Sequence, residues 1–247
     1  MIIAFICIVL IFNTMETISI HRPKIVVIGS CNTDMVVKAN RLPVPGETIL
    51  GGTFYMNPGG KGANQAIAAA RLGAEVTFIS KIGYDLFGLQ ALEIYRSEKI
   101  NTEYIFTDQK SPSGVALISV DSFGENSIIV APGASRSLSI EDINKAEEKI
   151  KEADIILMQL EIPIDTVEYA ATIACKYGKK VILNPAPASS LSNSFLMNVH
   201  TILPNRIEAE MLSGIKVMNI ESAHRAAQAI GEKGIENVVI TLGKDGA

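Results

Sequence analysis

Residues 57–73 read NPGGKGANQAIAAARLG and set Lys61 and Asn64 among Gly59, Gly60 and Gly62, directly before an alanine-rich run. Glycine costs roughly 0.5–1 kcal/mol relative to Ala in regular structure, so this density implies a need for bare backbone. Two phosphate-binding readings fail on spacing. A P-loop requires Ser or Thr after its Gly-Lys pair, whereas Gly62 follows Lys61. The dinucleotide fingerprint requires a third glycine where Gln65 stands, and an acidic residue closing a clear second strand is also missing. Close packing of a helix on a strand accounts for one glycine, or two, but not for the neighbouring Lys61 and Asn64. Lys61 offers an ammonium that only donates, and Asn64 an amide that both donates and accepts. Such a set suits a neutral polyol rich in hydroxyls. A second candidate set lies in GSCNTD, residues 29–34. Asn32 and Asp34 flank Thr33, so extended chain projects both side chains to one side. An Asx-turn is the competing reading of these residues.

The elements that must position these groups follow from periodicity and breakers. KIVVIG (24–29) is a β-branched run closed by glycine, the pattern of a buried strand. Further strands are expected at 47–57, 75–83, 114–120, 126–132, 153–160, 180–184, 200–204 and 237–242. Helices are expected over 63–72, stopped by Gly73, and over 86–99 and 164–177, the last stopped by Gly178. Ser139 is expected to cap another helix, with Asp142 in its first turn, and two more lie near 205–212 and 221–233. From residue 75 onward the order is mostly strand–helix–strand. That order predicts an α/β fold, a parallel sheet covered by helices on both faces. The segments 47–57 and 114–132 break the alternation. They are expected to form a small separate sheet, a lid over the carboxyl ends of the main strands, where open parallel sheets bind ligands.

Composition bounds the function classes. The chain has 247 residues, 48% of them hydrophobic, and a formal net charge of −4. This is enough for one large domain, and the charge provides no basic face for nucleic acid or for a membrane. Cys7, Cys31 and Cys175 are scattered, as are His21, His200 and His224. Neither a disulfide framework nor a zinc site follows, and a reducing compartment is expected. The N-terminal MIIAFICIVLIF is shorter than the ~20 apolar residues that span a bilayer. It has no preceding Lys or Arg and no small-residue cleavage site, as a signal peptide would. Residues 1–23 are therefore read as an extension outside the core, in preference to a signal, an anchor or an extra strand. The domain is read as 24–247 and the location as cytoplasmic, with the nucleus left open.

Asn32-Thr33-Asp34, Pro45-Gly46-Glu47-Thr48 and Gly59-Gly60-Lys61-Gly62-Ala63-Asn64-Gln65, at this spacing, resemble the ribokinase branch of the PfkB carbohydrate kinase family. The likeness continues through SGVALISV, LMQLE (157–161), NPAPA (184–188), NRIEAEMLSG (205–214) and VVITLGKDGA (238–247). The resemblance implies a three-layer α/β/α fold with a β lid, and ATP-dependent phosphorylation of ribose at O5. It implies that Asn32, Thr33, Asp34, Gly60, Lys61, Gly62, Ala63, Asn64 and Glu161 hold the sugar, with Asp34 taking a hydroxyl pair. On this reading the glycine loop cradles a sugar. Asn205 and Glu208 fall in the family's Asn-x-x-Glu motif, which organises Mg²⁺ and phosphate, while Arg206 stands where relatives often carry Glu. The same two residues also read as a helix cap and its third position. Thr241, Leu242, Gly243, Lys244, Asp245 and Gly246 match the nucleotide-contacting turn. The lid is expected to make a homodimer contact.

The family's catalytic Asp, in a Gly-Ala-Gly-Asp motif downstream of the VVITLG strand, has no counterpart up to Ala247. Neither does its anion hole or its K⁺ site. The expectation for the 247-residue chain is a sugar-binding kinase fragment without turnover. A non-catalytic sugar-binding or dimerising form is the alternative.

Overall fold

The computed structural model describes residues 22–247. The apolar N-terminal run, Cys7 and His21 lie outside the described residues. The chain opens with β1 (Lys24–Ile28), β2 (Asn32–Lys38), β3 (Thr53–Gly59) and α1 (Lys61–Arg71). It continues through β4 (Glu75–Gly83), α2 (Leu86–Ser97), β5 (Ile105–Asp108), β6 (Gly114–Val120) and β7 (Asn126–Ala131). A 3-10 turn at Gly133–Ser137 leads to α3 (Ile140–Lys145), α4 (Glu147–Glu152), β8 (Ile155–Met158), α5 (Ile164–Lys176) and β9 (Lys180–Leu183). Then come α6 (Asn193–Leu196), β10 (Thr201–Ile202), α7 (Arg206–Ser213), α8 (Ile220–Gly231), β11 (Asn237–Val238) and a 3-10 turn at Gly243–Asp245.

The main sheet runs β11-β10-β9-β8-β1-β4-β5 with every pair parallel. All seven carboxyl ends therefore share one rim. Its central strands are apolar on both faces, as a sheet covered twice requires. Val26 and Ile28 of β1 join Ile156, Met158, Val181 and Leu183 in one core. Val27 joins Phe78 and Leu157 in the other. The alternation is the period of two along a strand. Helices α1 and α2 cover the second face through Ala63, Ala66, Ala69, Ala91 and Tyr95. Helices α3 to α8 cover the first.

The small sheet runs β3-β2-β6-β7, with β2 parallel to β6 and antiparallel to β3. The expected lid strands are present as β3 and the β6–β7 hairpin. The first starts later than expected because Gly51 and Gly52 take φ of +104° and +105°. Strand β2, an inner strand of this sheet, is not among the strands expected from periodicity, nor are β5 and α6 among the expected elements. The register sets Asp34 between Asn57 and Ala116, and Met35 between Met56 and Leu117. Successive residues face opposite ways. One face thus carries Asp34, and the other presents Met35, Val37, Phe54, Met56, Leu117 and Ile129, of which all but Met35 are exposed.

Local signals account for most boundaries. Ser139 and Asp142 form a reciprocal capping box on α3, as the sequence predicts. Gly73 and Gly178 follow the ends of α1 and α5 with φ of +97° and +64°. The helix expected after Ser139 is divided at Ala146, whose φ of −101° and ψ of 5° leave the helical range. Strands β10 and β11 are shorter than expected. Hydrogen bonds from the Val239 and Thr241 N–H groups to the Ile202 and Pro204 carbonyls prolong their pairing without regular strand.

Candidate functional site

Gly29 and Ser30 lead from the carboxyl end of β1 into β2. Asn32, the first residue of β2, is 6% exposed, and its Oδ1 accepts no hydrogen bond from the described residues. A buried acceptor left unsatisfied costs about 1–3 kcal/mol. Asp34 follows two residues later on the same face, half-buried. Burial raises its carboxyl above the usual value; Glu161 adds to the rise and Lys61 opposes it. Strand geometry therefore replaces the Asx-turn reading. It also turns Thr33 to the opposite face from Asn32 and Asp34.

Helix α1 begins without a side-chain cap, because its N-cap is Gly60. The first N–H groups of a helix have no intrahelical partner, and here other segments supply the acceptors. Glu161, beyond the paired end of β8, accepts the Lys61 N–H through Oε2 at 2.9 Å. The Ser30 carbonyl accepts the Ala63 N–H at 2.9 Å. The Ser30 hydroxyl donates to the same Glu161 oxygen at 2.5 Å. The Lys61 ammonium stands 3.6 Å from the other oxygen, Oε1. A carboxylate at a helix N-terminus also meets the positive end of the helix dipole. Lys61, Glu161 and Asp34 form a mixed-charge cluster between α1, the end of β8 and the small sheet.

The glycines of the loop serve the protein's own packing first. A Cβ on Gly59 would lie 1.9 Å from Asp34 Oδ1. One on Gly62 would lie 2.7 Å from the backbone of Gly29 and Ser30. Gly60 takes φ of +89°, where L side chains are strained, and a Cβ there would lie 2.9 Å from Asn32 N. Packing of the helix start on the β1–β2 junction accounts for Gly62 and Gly60, within the one or two expected from the sequence, while Gly59 makes room for the Asp34 side chain of the neighbouring strand. Ala63 is fully buried in the second core, and its side chain does not face the cleft. Asn64 is exposed in the first turn of α1.

Other candidates gather farther along the rim. Asn205 caps α7, its side chain accepting the Glu208 N–H at 3.0 Å. Glu208 returns the bond, accepting from Asn205 N and Nδ2 at 2.8 Å each. The expected cap is present and engages both oxygens of Glu208. Thr241 bridges Asn205 in parallel pairing, which brings the turn 241–246 beside the start of α7. Leu242 is buried in the first core, so its side chain serves packing. Arg206, in sequence only a departure from the family motif, donates to Asp245 at 2.7 Å and to the Leu242 carbonyl at 3.3 Å, fastening that turn. Replacing Asn205 by Ala is expected to lower stability by about 1 kcal/mol, the usual worth of an N-cap. Chemical denaturation checks this.

The two groups lie on one rim. Asn32 follows β1 and Asn205 follows β10, three strand positions apart. At about 4.8 Å per position, their elements stand about 14 Å apart. Sequence reasoning missed Ser30 and the pair Gln65–Gln159, whose amides hydrogen-bond beside Gly29. No local signal marks Ser30, since its partner is 131 positions away. Cys31, beside Asn32, is buried, and its thiol is pushed up to about 11 by burial. It is a neutral packing group, not a nucleophile.

The sequence profile described as pfkB family carbohydrate kinase matches residues 22–247. The chain is 46% identical over 225 residues to the ribokinase of Haemophilus influenzae, covering 91% of this chain and 74% of that one. It is 39% identical over 224 residues to the deoxyribokinase of Salmonella typhimurium, covering 90% of this chain and 73% of that one. Among solved structures, Arabidopsis thaliana ribokinase complexed with ribose and ATP superposes with a TM-score of 0.80. It is 31% identical, with 90% of this chain and 73% of that one covered.

Proposed function

We propose, from the premise that this chain belongs to the pfkB family of carbohydrate kinases, that its reaction is the transfer of the γ-phosphoryl of ATP to O5 of D-ribose, giving D-ribose 5-phosphate. The observation that carries the reading is the Asp34–Lys61–Glu161 cluster. It stands at the carboxyl rim, on the same side as the Asn205–Thr241 pair. A cluster that alternates acceptor and donor suits adjacent sugar hydroxyls. Asp34 accepts from two of them and Lys61 donates to a third oxygen. The Arabidopsis complex with ribose and ATP and the 46% identity to the Haemophilus ribokinase support the sugar and the nucleotide.

On this reading the turn 241–246 and Asn205 hold ATP. About 14 Å of rim accommodates a triphosphate pointing from the nucleotide end toward the sugar. Among the described residues no group of three or more His, Cys, Asp or Glu side chains could hold a metal. Two acidic residues stand at this end: Glu208, whose oxygens already accept from Asn205, and Asp245, which is paired with Arg206. Mg²⁺ would arrive on the ATP phosphates and supply charge neutralisation there, with Glu208 and Asn205 the residues nearest to where it would be held.

The exposed apolar face of the small sheet is the surface proposed for the homodimer, and a cytoplasmic location is proposed with it. The identity to a deoxyribokinase favours a second reading, with 2-deoxyribose as the acceptor.

The test is a coupled kinase assay on the protein expressed from its full coding sequence, with ribose, 2-deoxyribose and fructose as acceptors. ATP- and Mg²⁺-dependent turnover with ribose at the highest kcat/KM is the expected result. A higher value with 2-deoxyribose transfers the assignment to the second reading. A preference for fructose overturns both.

A further inference from the structure

We propose that Ser30 is a positioning residue for the sugar site: its hydroxyl holds Glu161 so that Oε1 is presented, beside the Lys61 ammonium, to a sugar hydroxyl. The inference rests on the sugar reading above and adds a residue to that site. Ser30 is 1% exposed. Its hydroxyl and the Lys61 N–H both donate to Glu161 Oε2, at 2.5 and 2.9 Å. These protein donors occupy that oxygen. Glu161 Oε1 faces Lys61 Nζ at 3.6 Å, too far for a direct hydrogen bond. A hydroxyl oxygen about 2.8 Å from each can accept from the ammonium and donate to Oε1. Such a hydroxyl sits to one side of the ion pair and contacts both of its members.

Glu161 follows β8, and a Glu side chain has several rotamers to lose on ordering. The backbone bond to Lys61 alone leaves the carboxylate free to pivot about that contact. The Ser30 hydroxyl is the second point that stops the pivot. Ser30 is itself held through its carbonyl, which accepts the Ala63 N–H at 2.9 Å, and by Gly62, whose missing Cβ leaves room for the Ser30 backbone. Three segments far apart in sequence thus fix one carboxylate oxygen and leave the other to the ligand.

A double-mutant cycle read by ribose titration calorimetry tests this on the protein from its full coding sequence. Ser30→Ala is expected to weaken ribose binding about tenfold, the fold-change of one lost hydrogen bond to a charged group, with ATP affinity unchanged. In a Glu161→Ala background, Ser30→Ala is expected to cause no further loss, because the group it positions is gone. Ser30→Cys keeps the size of the side chain with a weaker donor and is expected to fall between parent and Ser30→Ala. It also serves as the cycle's variant if Ser30→Ala does not fold. Parental ribose affinity in Ser30→Ala, or losses at Ser30 and Glu161 that multiply independently, overturns the role. Asp34→Ala distinguishes the two levels of failure. If it too leaves ribose binding unchanged, the sugar site itself is wrong. If it abolishes binding while Ser30→Ala does nothing, only the Ser30 inference falls.

Discussion

Asp34→Ala is expected to weaken ribose binding by at least tenfold, and by about a hundredfold if the carboxylate accepts from two hydroxyls. Each hydrogen bond to a charged group contributes roughly 1.5–3 kcal/mol, and tenfold in affinity is about 1.4 kcal/mol. The Asp34 carboxylate packs against Gly59, a residue with no side chain to engage its oxygens. The same environment sets a stability cost. Burial, with Glu161 adding to it, raises the Asp34 carboxyl in the folded protein, so the folded state holds this proton more tightly than the unfolded chain. The stability from that group is fully present below the ordinary Asp range and is lost as pH rises through the raised value. Asp34→Asn should therefore gain stability at neutral pH while losing sugar affinity. In the parent, ribose affinity should fall as pH drops through the raised value, because the proton occupies the acceptor. Calorimetric titration from below the ordinary Asp value, about 3.9, up to neutral pH reads the binding effect, and denaturant melts of both proteins read the stability effect. Unchanged ribose affinity in Asp34→Ala would sink the assignment of this cluster to the sugar.

Gly62→Ala is expected to destabilise the fold by about 3 kcal/mol, at the top of the usual range for overpacking. Helix propensity alone argues the other way, since Ala is favoured over Gly by about 1 kcal/mol in a helix interior. The decisive term is contact. The new methyl would lie 2.7 Å from Gly29 C, Ser30 N and Ser30 O, all backbone atoms that no rotamer change can move. Relief requires α1 to lift from the β1–β2 junction, which breaks the Ala63–Ser30 bond and disturbs Glu161. At Gly231, the end of α8, a methyl would meet none of the described residues within 4 Å. Gly231→Ala is the control and should be neutral or stabilising by up to about 1 kcal/mol. Urea midpoints of the two variants should move in opposite directions. A Gly62→Ala protein as stable as its parent would mean that the loop's close packing is not what its glycine secures.

Much of this molecule is legible in its sequence because the relevant physics is local. The apolar runs at 24–28, 75–83 and 180–183 declare buried strands through composition. Gly73 and Gly178 stop helices by taking left-handed backbone, and Ser139 with Asp142, like Asn205 with Glu208, cap helices across three residues. Such signals depend on neighbours a turn away, so they survive without knowledge of the whole. The glycine loop and the Asn-x-Asp pattern mark a polar site for the same reason.

The tertiary structure alone decided which side chains meet. NTDMVVK lacks a clean strand pattern, yet it is an inner strand of the small sheet, because β3 and β6 satisfy its backbone on both edges. That pairing puts Asn32 and Asp34 on one face and sends Thr33 to the other. The bond from Ser30 to Glu161 spans 131 positions, and it exists only because β1 and β8 are neighbours in the main sheet. The strand order also sets the cleft's length, since Asn205 reaches the same rim three strands away. Long-range pairing depends on the packing of segments remote in the chain, a free energy that no short window of sequence carries.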